Sequence, residues 1–485
     1  MTEQPNILWI YCDELRADAL ACYAHGDVQL HTPHLDALAA SGVRFSNSFC
    51  NSPVCVASRT STMTGLYPQQ TGVYHNEAAW PGYELPADYM TFPQWLAQHG
   101  YRTADFGKVH LARGLQPWDL QIPDGGGMRG YEAATDVITP PGVQTTIGGR
   151  YPGDRPYPAE QVTDNAVDWL RAQDNAGPWL LRASYLQPHT PVFPPPPYDR
   201  MYADAGFSAE LTRHGLPSAF ERRFAAILEA ERMPAAHIRL AREYYHGLVA
   251  WVDAQVGRLL ATLAALGLRQ NTLVVFGADH GASLGENGCY AKHLFAPASH
   301  RVPLILSWPG TLAGGRVDEG ICEGLDLART CCEAAGIAAH PQFQGRSLLS
   351  APPPEAVHGV IGYGHPQSRA YPNLRRGDWH DGRGWPRRAC IRTQQYRLDL
   401  SVRQDGAPVP ATDTDAYLAD WQSDATESRN LAADPAHAAT LADLTARLHT
   451  HLADSIEPDL DALPGPCLPR FPQCLKIEMV VSNDL

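Results

Sequence analysis

The segment Asn6-Ile7-Leu8-Trp9-Ile10-Tyr11, followed by Cys12-Asp13-Glu14, decides the fold class of this chain. An uncharged run rich in Ile, Leu and aromatic side chains is typical of a strand that is buried on both faces of a sheet. The two acids come directly after this strand, and ligands of doubly wound sheets collect at the carboxyl ends of the strands. The segment therefore predicts a central parallel strand with a functional carboxylate at its end.

Apolar strands and amphipathic helices alternate along the rest of the first 350 residues. The pattern predicts helices at about 33–42, 92–99, 164–173 and 237–266. It predicts further strands at 43–49, 102–107, 179–185, 271–276 and 303–308. Because such alternation gives a largely parallel sheet with helices on both faces, we predict an α/β fold for residues 1–350.

From about residue 351 the pattern changes and predicts a smaller C-terminal α+β subdomain, residues 351–485. Residues 388–400 are predicted as one strand of an antiparallel sheet, and residues 435–452 as an amphipathic helix. The tail after Pro464 contains the apolar run Ile477-Glu478-Met479-Val480-Val481, which suits docking on a second copy of the chain. A homo-oligomer is therefore a hypothesis of the sequence.

Composition excludes several classes of partner. The chain has 485 residues and a formal net charge of -14, which disfavours nucleic acid and anionic membrane surfaces. We expect no membrane-spanning segment and, since the N-terminus lacks a signal-peptide pattern, a cytoplasmic location. The 11 cysteines are odd in number and lack zinc-finger spacing, so most of them are expected to be buried thiols.

Acidic residues and a histidine follow two of the predicted strands. Asp13 follows the first strand, and Asp279-His280 follow the strand that ends near Phe276. These side chains are expected to converge on one divalent cation, because oxygen ligands with one imidazole suit Ca²⁺, Mn²⁺ or Mg²⁺. By itself the sequence Asp-His-Gly is more often a turn than a metal site.

The segment Ser52-Pro53-Val54-Cys55-Val56-Ala57-Ser58-Arg59-Thr60-Ser61-Thr62-Met63-Thr64-Gly65 suits the start of a helix. Free backbone N–H groups and the helix dipole at such a start favour anions. We expect Cys55 to have a depressed pKa there, lowered further by Arg59. The alternative is that Cys55 is a buried and inert thiol, which is the usual fate of a lone cysteine.

Cys55 to Arg59, with the Met-Thr-Gly that follows, resembles the signature of the type I sulfatases, with Ala57 where the commoner form has Pro. Further stretches resemble that family in order and spacing. They are Pro5 to Asp13, Gly100 to Thr103, Gly107-Lys108-Val109-His110, Gln187-Pro188-His189-Thr190-Pro191, Asp279-His280-Gly281, Leu284-Gly285-Glu286, Lys292, and Tyr417 to Leu431. The Asp-His form of the late metal pair, together with Asn76, is closest to choline sulfatases, phosphonate monoester hydrolases and iduronate-type sulfatases.

The resemblance implies an alkaline-phosphatase-like fold and hydrolysis of a small-molecule sulfate ester. It implies that a maturation enzyme oxidises Cys55 to formylglycine (3-oxoalanine), whose hydrate is the nucleophile. It further implies one divalent cation, foremost Ca²⁺, held by Asp13, Asp279, His280 and the modified Cys55. The role of Glu14 as a ligand stays open.

The resemblance also implies roles for the remaining polar residues. Arg59 orients the diol, and Lys108, His189 and Lys292 contact the sulfate or the leaving oxygen. His189 and Lys292 are the candidates for the general acid, and His110 is the expected base for release of sulfate. Asn76 is expected to bind substrate. Taken without the motif, Lys108 is better interpreted as a solvated loop lysine and His110 as a hydrogen-bonded loop histidine.

Two alternative functions follow from the same residues. A phosphonate monoester or phosphodiester hydrolase uses the same nucleophile and cation on phosphorus. A binding protein with an unmodified Cys55 is the alternative from another class. The loops at 116–158, 191–215 and 362–388 are expected to determine the substrate.

Overall fold

The computed structural model describes residues 4–456 except 25, 27, 80–82, 84, 86–87, 124–133, 139–146, 174–176, 211–217, 229–232, 363–385, 405–406 and 411–414. The tail after Pro464, expected to dock on a second subunit, lies outside the described residues. So do parts of the loops expected to determine the substrate.

The strands, in chain order, are β1 (Asn6–Cys12), β2 (Val43–Phe49), β3 (Arg102–Gly107), β4 (Leu120–Pro123), β5 (Thr135–Ile138), β6 (Gly148–Arg150), β7 (Trp179–Tyr185), β8 (Thr272–Ala278), β9 (Ser283–Leu284), β10 (Tyr290–Ala291), β11 (Arg301–Val302), β12 (Leu304–Ser307), β13 (Arg316–Glu323), β14 (Val357–Ile361), β15 (Arg387–Arg392), β16 (Tyr396–Gln404), β17 (Ala407–Pro408) and β18 (Tyr417–Asp420). The α-helices are α1 (Pro33–Ala40), α2 (Cys55–Thr64), α3 (Pro68–Thr71), α4 (Phe92–Gln98), α5 (Glu160–Arg171), α6 (Ala219–Leu228), α7 (Ala235–Ala265), α8 (Pro297–His300), α9 (Asp326–Ala334) and α10 (Ala438–His451).

A nine-stranded mixed sheet forms the centre of the fold. Its strands lie in the order β11-β2-β12-β8-β1-β7-β3-β4, and β13 pairs with β2. β1 pairs in parallel with β7 and β8, and β3 pairs in parallel with β7 and β4. β12 runs antiparallel to both β8 and β2. The predicted α/β fold with a mostly parallel sheet is confirmed.

The central position of β1 follows from its sequence. All seven residues of β1 are buried, as are all seven of β7 and of β8 on either side. Two hydrophobic clusters cover the two faces of the sheet: Leu8 and Ile10 belong to one, and Ile7 and Trp9 to the other. The parallel strands β1, β8, β7 and β3 therefore end at one edge, where polar residues meet.

Helix α7 does not meet the expectation that every segment is too short or too polar to span a membrane. By length and composition alone, Ala235–Ala265 passes that test, with 61% of its most apolar window buried within the protein. It packs against α1 and α5, as the core helix of a soluble fold does.

A second sheet, antiparallel, begins at Val357 and contains β14, β15, β16, β17 and β18. The prediction of a single strand at 388–400 was wrong, because β15 and β16 form a hairpin around residues 393–395. The turn was missed because apolar positions continue on both sides of it and because its residues, Thr393, Gln394 and Gln395, include neither Gly nor Pro. The division of the chain at residue 350 stays a prediction.

Candidate active site

Helix α2 begins at Cys55, and all ten of its residues are buried. The backbone N–H of Val56 donates to Oδ1 of Asn76 at 3.0 Å. Asn76, expected to bind substrate, therefore caps one of the free N–H groups at the start of this helix. Helix α2 ends at Gly65, which has a φ of 62° and so adopts the left-handed conformation that favours glycine.

Four buried side chains converge at the ends of β1 and β8 and at the start of α2. One ligand atom from each of Asp13, Cys55, Asp279 and His280 lies within 4.8 Å of the others. Nε2 of His280 lies 3.3 Å from Sγ of Cys55, and Sγ lies 3.6 Å from Oδ1 of Asp13. The structure thus brings together the four residues that sequence reasoning assigned to a cation.

The chemistry of these donors fits a divalent cation. Nδ1 of His280 hydrogen-bonds the carbonyl oxygen of Gly281 at 2.8 Å, which leaves Nε2 as the free acceptor on the side of the cluster. Burial lowers the pKa of His280 to about 4, so the ring is neutral. Burial alone raises the pKa of Asp279, but His280, Arg59 and Lys108 outweigh it and lower that pKa below its ordinary value. If Cys55 is oxidised to formylglycine, as the resemblance implies, Sγ marks where the oxygens of the hydrate would lie.

Arg59 is fully buried and contacts the carboxylates of the cluster. Its Nε donates to Oδ2 of Asp279 at 2.7 Å, and its Nη2 lies 3.4 Å from Oδ2 of Asp13. Its Nη1 donates to the hydroxyl of Ser184 at 3.0 Å. In this arrangement Arg59 holds the carboxylates of the candidate cation site in place, and its expected role in orienting the diol stays a prediction.

The expected low pKa of Cys55 was wrong. Burial raises the pKa of its thiol to about 11, and Asp279 and Glu14 add to that effect. Lys292 and Arg59 lower the pKa, but not enough to offset the burial. The helix start is real, but desolvation of a thiolate in a fully buried position dominates. An unmodified Cys55 is therefore a poor nucleophile at neutral pH.

Two lysines and a histidine face Cys55 from other loops. Nζ of Lys292 lies 3.2 Å from Sγ of Cys55 and 2.8 Å from Nε2 of His189. Nζ of Lys108 lies 3.8 Å from the same sulfur and also forms an ion pair with Asp13. His189 hydrogen-bonds the carbonyl of Thr190 through Nδ1, so its Nε2 accepts from Lys292. Burial and the two lysines hold the pKa of His189 well below its usual range.

His110 follows Lys108 in the loop after β3 and has a φ of 41°, which is uncommon for a residue other than glycine. Its Nδ1 is buried and has no hydrogen-bond partner within the described part of the chain. Burial, with Lys108 and Arg59, holds the pKa of His110 well below its usual range. The imidazole is therefore neutral and able to accept a proton.

Sequence reasoning missed the hydroxyls that support these groups. The Oγ of Ser58 donates to the carbonyl of Asp279 at 2.6 Å, and the Oγ of Ser184 donates to the carbonyl of Lys108 at 2.7 Å. Tyr245, on α7, donates its hydroxyl to the carbonyl of Glu14 at 2.6 Å. The position of Ser184 near the end of β7 was a usable signal, whereas nothing in the α7 sequence pointed to Tyr245.

The C-terminal sheet is hydrogen-bonded to the segment that carries Lys292. Arg392 and Arg397, both buried, donate to the carbonyl oxygen of Phe295 at 2.9 Å and 3.1 Å. Both arginines also pair with the buried carboxylate of Glu427 at 2.5 Å. The C-terminal part therefore contributes to the site by holding the backbone just after Lys292.

Comparison with known proteins gives a family match and many relatives. The family model described as Sulfatase matches residues 5–337. The N-acetylglucosamine-6-O-sulfatase of Bacteroides thetaiotaomicron is 26% identical over 413 residues, which cover 72% of this chain and 70% of that protein. The iduronate 2-sulfatase of Mus musculus is 30% identical over 347 residues, which cover 64% of this chain and 61% of that protein.

The fold has close counterparts among solved structures. The phosphonate monoester hydrolase of Agrobacterium radiobacter superposes with a TM-score of 0.71 at 23% identity, over 93% of this chain and 96% of that chain. At this identity the likeness concerns the fold alone.

Proposed function

This chain belongs to the sulfatase family of sulfuric ester hydrolases, and on that premise we propose that it cleaves a small sulfate ester with a formylglycine nucleophile made from Cys55. The observation that carries the proposal is the convergence of Cys55 with Asp13, Asp279, His280 and Lys292 at one edge of the sheet. In the metal-free site burial raises the pKa of the unmodified thiol, which agrees with a nucleophile other than sulfur.

The family requires a divalent cation, and we propose Ca²⁺ bound by Asp13, Asp279, His280 and the modified Cys55. The donors are mainly oxygen atoms, which Ca²⁺ prefers. When bound, the cation would polarise the sulfate and lower the pKa of a coordinated hydroxyl. The formylglycine hydrate would supply that hydroxyl and a second one for release of sulfate. Arg59 holds both carboxylates in place for the ion.

The lysines and histidines have different roles in cleavage of the ester. Lys108 and Lys292 place positive charge around the sulfate oxygens. This charge binds the anionic ester and stabilises the negative charge that develops in the transition state. His189 is neutral and accepts from Lys292, so the mobile proton of this pair belongs to Lys292. Lys292 is therefore the general acid that protonates the leaving oxygen. His110, neutral and with an Nδ1 that lacks a hydrogen-bond partner among the described residues, is the base for release of sulfate.

The exposure of the site residues indicates the side from which a sulfate group enters. Cys55 is fully buried, whereas the side chains of Lys108 and His189 are 11% and 21% exposed. Within the described residues, a sulfate therefore reaches the nucleophile past these two side chains. A small diffusible ester fits this approach. The cytoplasmic location, the maturation enzyme as a partner and the homo-oligomer stay predictions.

A substrate panel tests the proposal. Enzyme produced together with a formylglycine-generating enzyme and loaded with Ca²⁺ should hydrolyse a nitrophenyl sulfate faster than a nitrophenyl phosphonate ester. Unmodified enzyme from cells without that maturation enzyme is the control and should be inactive on both. A large preference for the phosphonate would overturn sulfate as the substrate class while leaving the nucleophile in place.

A further inference from the structure

Glu14, the acid next to Asp13, uses both oxygens of its carboxylate outside the cation cluster. Oε1 lies 2.5 Å from Nζ of Lys292 and 3.5 Å from Nε2 of His189. Oε2 accepts hydrogen bonds from the backbone N–H of Thr190 at 2.9 Å and from its hydroxyl at 3.0 Å. In this structure Oε1 thus faces the ammonium of Lys292, and Oε2 is hydrogen-bonded to Thr190.

Glu14 also belongs to a second group of potential metal donors. One ligand atom from each of Asp13, Glu14 and His189 lies within 4.8 Å of the others. The ammonium of Lys292 contacts two of these three residues, at 2.5 Å from Glu14 and 2.8 Å from His189. A positive charge is therefore already held there by the protein itself, and a second metal ion would be repelled by it.

The backbone of Glu14 is held in an unusual conformation. Its φ is 59°, in the left-handed region that residues other than glycine rarely adopt, and its side chain is only 1% exposed. Its N–H donates to Oδ1 of Asp279 at 3.2 Å, and its carbonyl accepts from Tyr245. Such conformations cluster at functional sites, where the surroundings fix them. The backbone of Glu14 is thus tied to a carboxylate of the cation cluster while its side chain holds Lys292.

We propose that Glu14 is a positioning residue for proton donation, and that it does not bind the metal ion. It aligns the ammonium of Lys292 and the imidazole of His189 for the leaving oxygen. Sulfur bonds to one hydroxyl oxygen of the formylglycine hydrate as its bond to the leaving oxygen breaks, and an N–H of Lys292 transfers its proton to the leaving oxygen. The proton lost by the attacking hydroxyl goes to solvent, from which Lys292 is protonated again. The inference rests on the proposed function, in which Lys292 is the general acid.

Two kinds of sulfate ester and a metal titration test this role. Glu14→Gln keeps the size of the side chain and an acceptor for Thr190 but removes the charge that faces Lys292. General acids matter for poor leaving groups, so we expect alkyl sulfate turnover to fall about 100-fold or more and nitrophenyl sulfate turnover less than about 10-fold. Calorimetric titration of the metal-stripped enzyme with CaCl₂ or MnCl₂ should give a Kd that rises by no more than about 10-fold, the lower end of the loss that follows a change outside the ligand set.

Asp13→Asn is the matched control, since it changes the neighbouring carboxylate and should weaken metal binding and both turnovers together. Glu14→Asp is the second variant. It keeps the charge and should recover part of the alkyl sulfate turnover that Glu14→Gln loses. A loss of metal affinity in Glu14→Gln as large as that in Asp13→Asn would overturn the inference, as would equal losses on both esters. If modified wild type hydrolyses neither ester, the proposed function fails, and the titration alone still decides whether Glu14 is a ligand.

Discussion

Nζ of Lys292 lies 3.2 Å from Sγ of Cys55, although 237 positions separate the two residues in the chain. Cys55 begins a helix, and Lys292 follows the short strand β10. Their contact joins the proposed nucleophile position to the proposed proton donor, and His189 and Glu14 contact the same ammonium. The relationship defines where the leaving oxygen of a substrate must lie.

Replacement of Lys292 by arginine distinguishes its role as a positive charge from its role as a proton donor. Lys292→Arg retains a cation that does not deprotonate in proteins, so KM for a sulfate ester should change little. Turnover of an alkyl sulfate should fall about 100- to 10,000-fold, the range of general acid catalysis. Steady-state kinetics on alkyl and nitrophenyl sulfates measure both quantities. Alkyl sulfate turnover equal to that of wild type would show that Lys292 is not the acid.

Removal of a metal carboxylate should abolish high-affinity cation binding. Asp279→Asn replaces a charged ligand by a neutral one, and we expect the Kd for Ca²⁺ to rise more than about 100-fold, since even outer-shell changes cost 10- to 100-fold. Calorimetry on metal-stripped protein measures it. Ser283→Ala is the control, because Ser283 is close in sequence but contacts Ser299. Equal affinities of the two variants would refute the assigned site.

Arg59 should stabilise the fold most when the cation is absent. Arg59→Met removes the ion-pair partner of Asp279 and leaves Asp13 with Lys108 alone, and breaking such a buried pair costs about 3–5 kcal/mol of unfolding free energy. Bound cation supplies an alternative counter-charge, so the loss should be smaller with Ca²⁺ present. Urea unfolding with and without Ca²⁺ measures both values. The same loss under both conditions would argue against a cation between these carboxylates.

Two stacked histidines should make the thermal stability of the protein depend on pH. The rings of His358 and His451 lie 3.7 Å apart. Burial, with other cations nearby for His358, lowers the pKa of His358 to about 3 and that of His451 to about 4. Between about pH 6.5 and about pH 4 these two histidines are protonated in the unfolded chain but neutral in the folded protein. Their contribution to the free energy of unfolding is therefore fully present above about pH 6.5 and is lost as the pH falls.

A variant isolates this contribution. His451→Phe keeps a ring in the stack but cannot titrate, so its Tm should fall less than that of wild type between about pH 7 and about pH 5. Replacement of His449, exposed on the same helix, by Gln is the control and should leave the wild-type pH dependence intact. If His451→Phe and wild type lose the same Tm, the stacked pair is not the source.

Much of the site was predictable because strand ends and helix starts are local features. Asp13, Asp279 and His280 follow buried strands, and parallel strands deliver their ends to one edge. The pKa of Cys55 was not predictable in the same way, since helix position and a nearby Arg59 are visible in sequence while burial is not. The contact of Glu14 with Lys292 depends on how two distant loops pack, and no periodicity encodes it.

The chemical state of Cys55 is the centre of the account, and one measurement tests it directly. Cleavage after Arg44 and Arg59 yields the tryptic peptide 45–59, which contains both Cys50 and Cys55, so fragmentation in the mass spectrometer must assign the modified residue. Sulfate ester turnover per molecule is then compared across preparations with different fractions of formylglycine at residue 55. We predict that turnover rises in proportion to that fraction and vanishes in Cys55→Ala. Undiminished turnover by protein with an intact thiol at residue 55 would contradict the account.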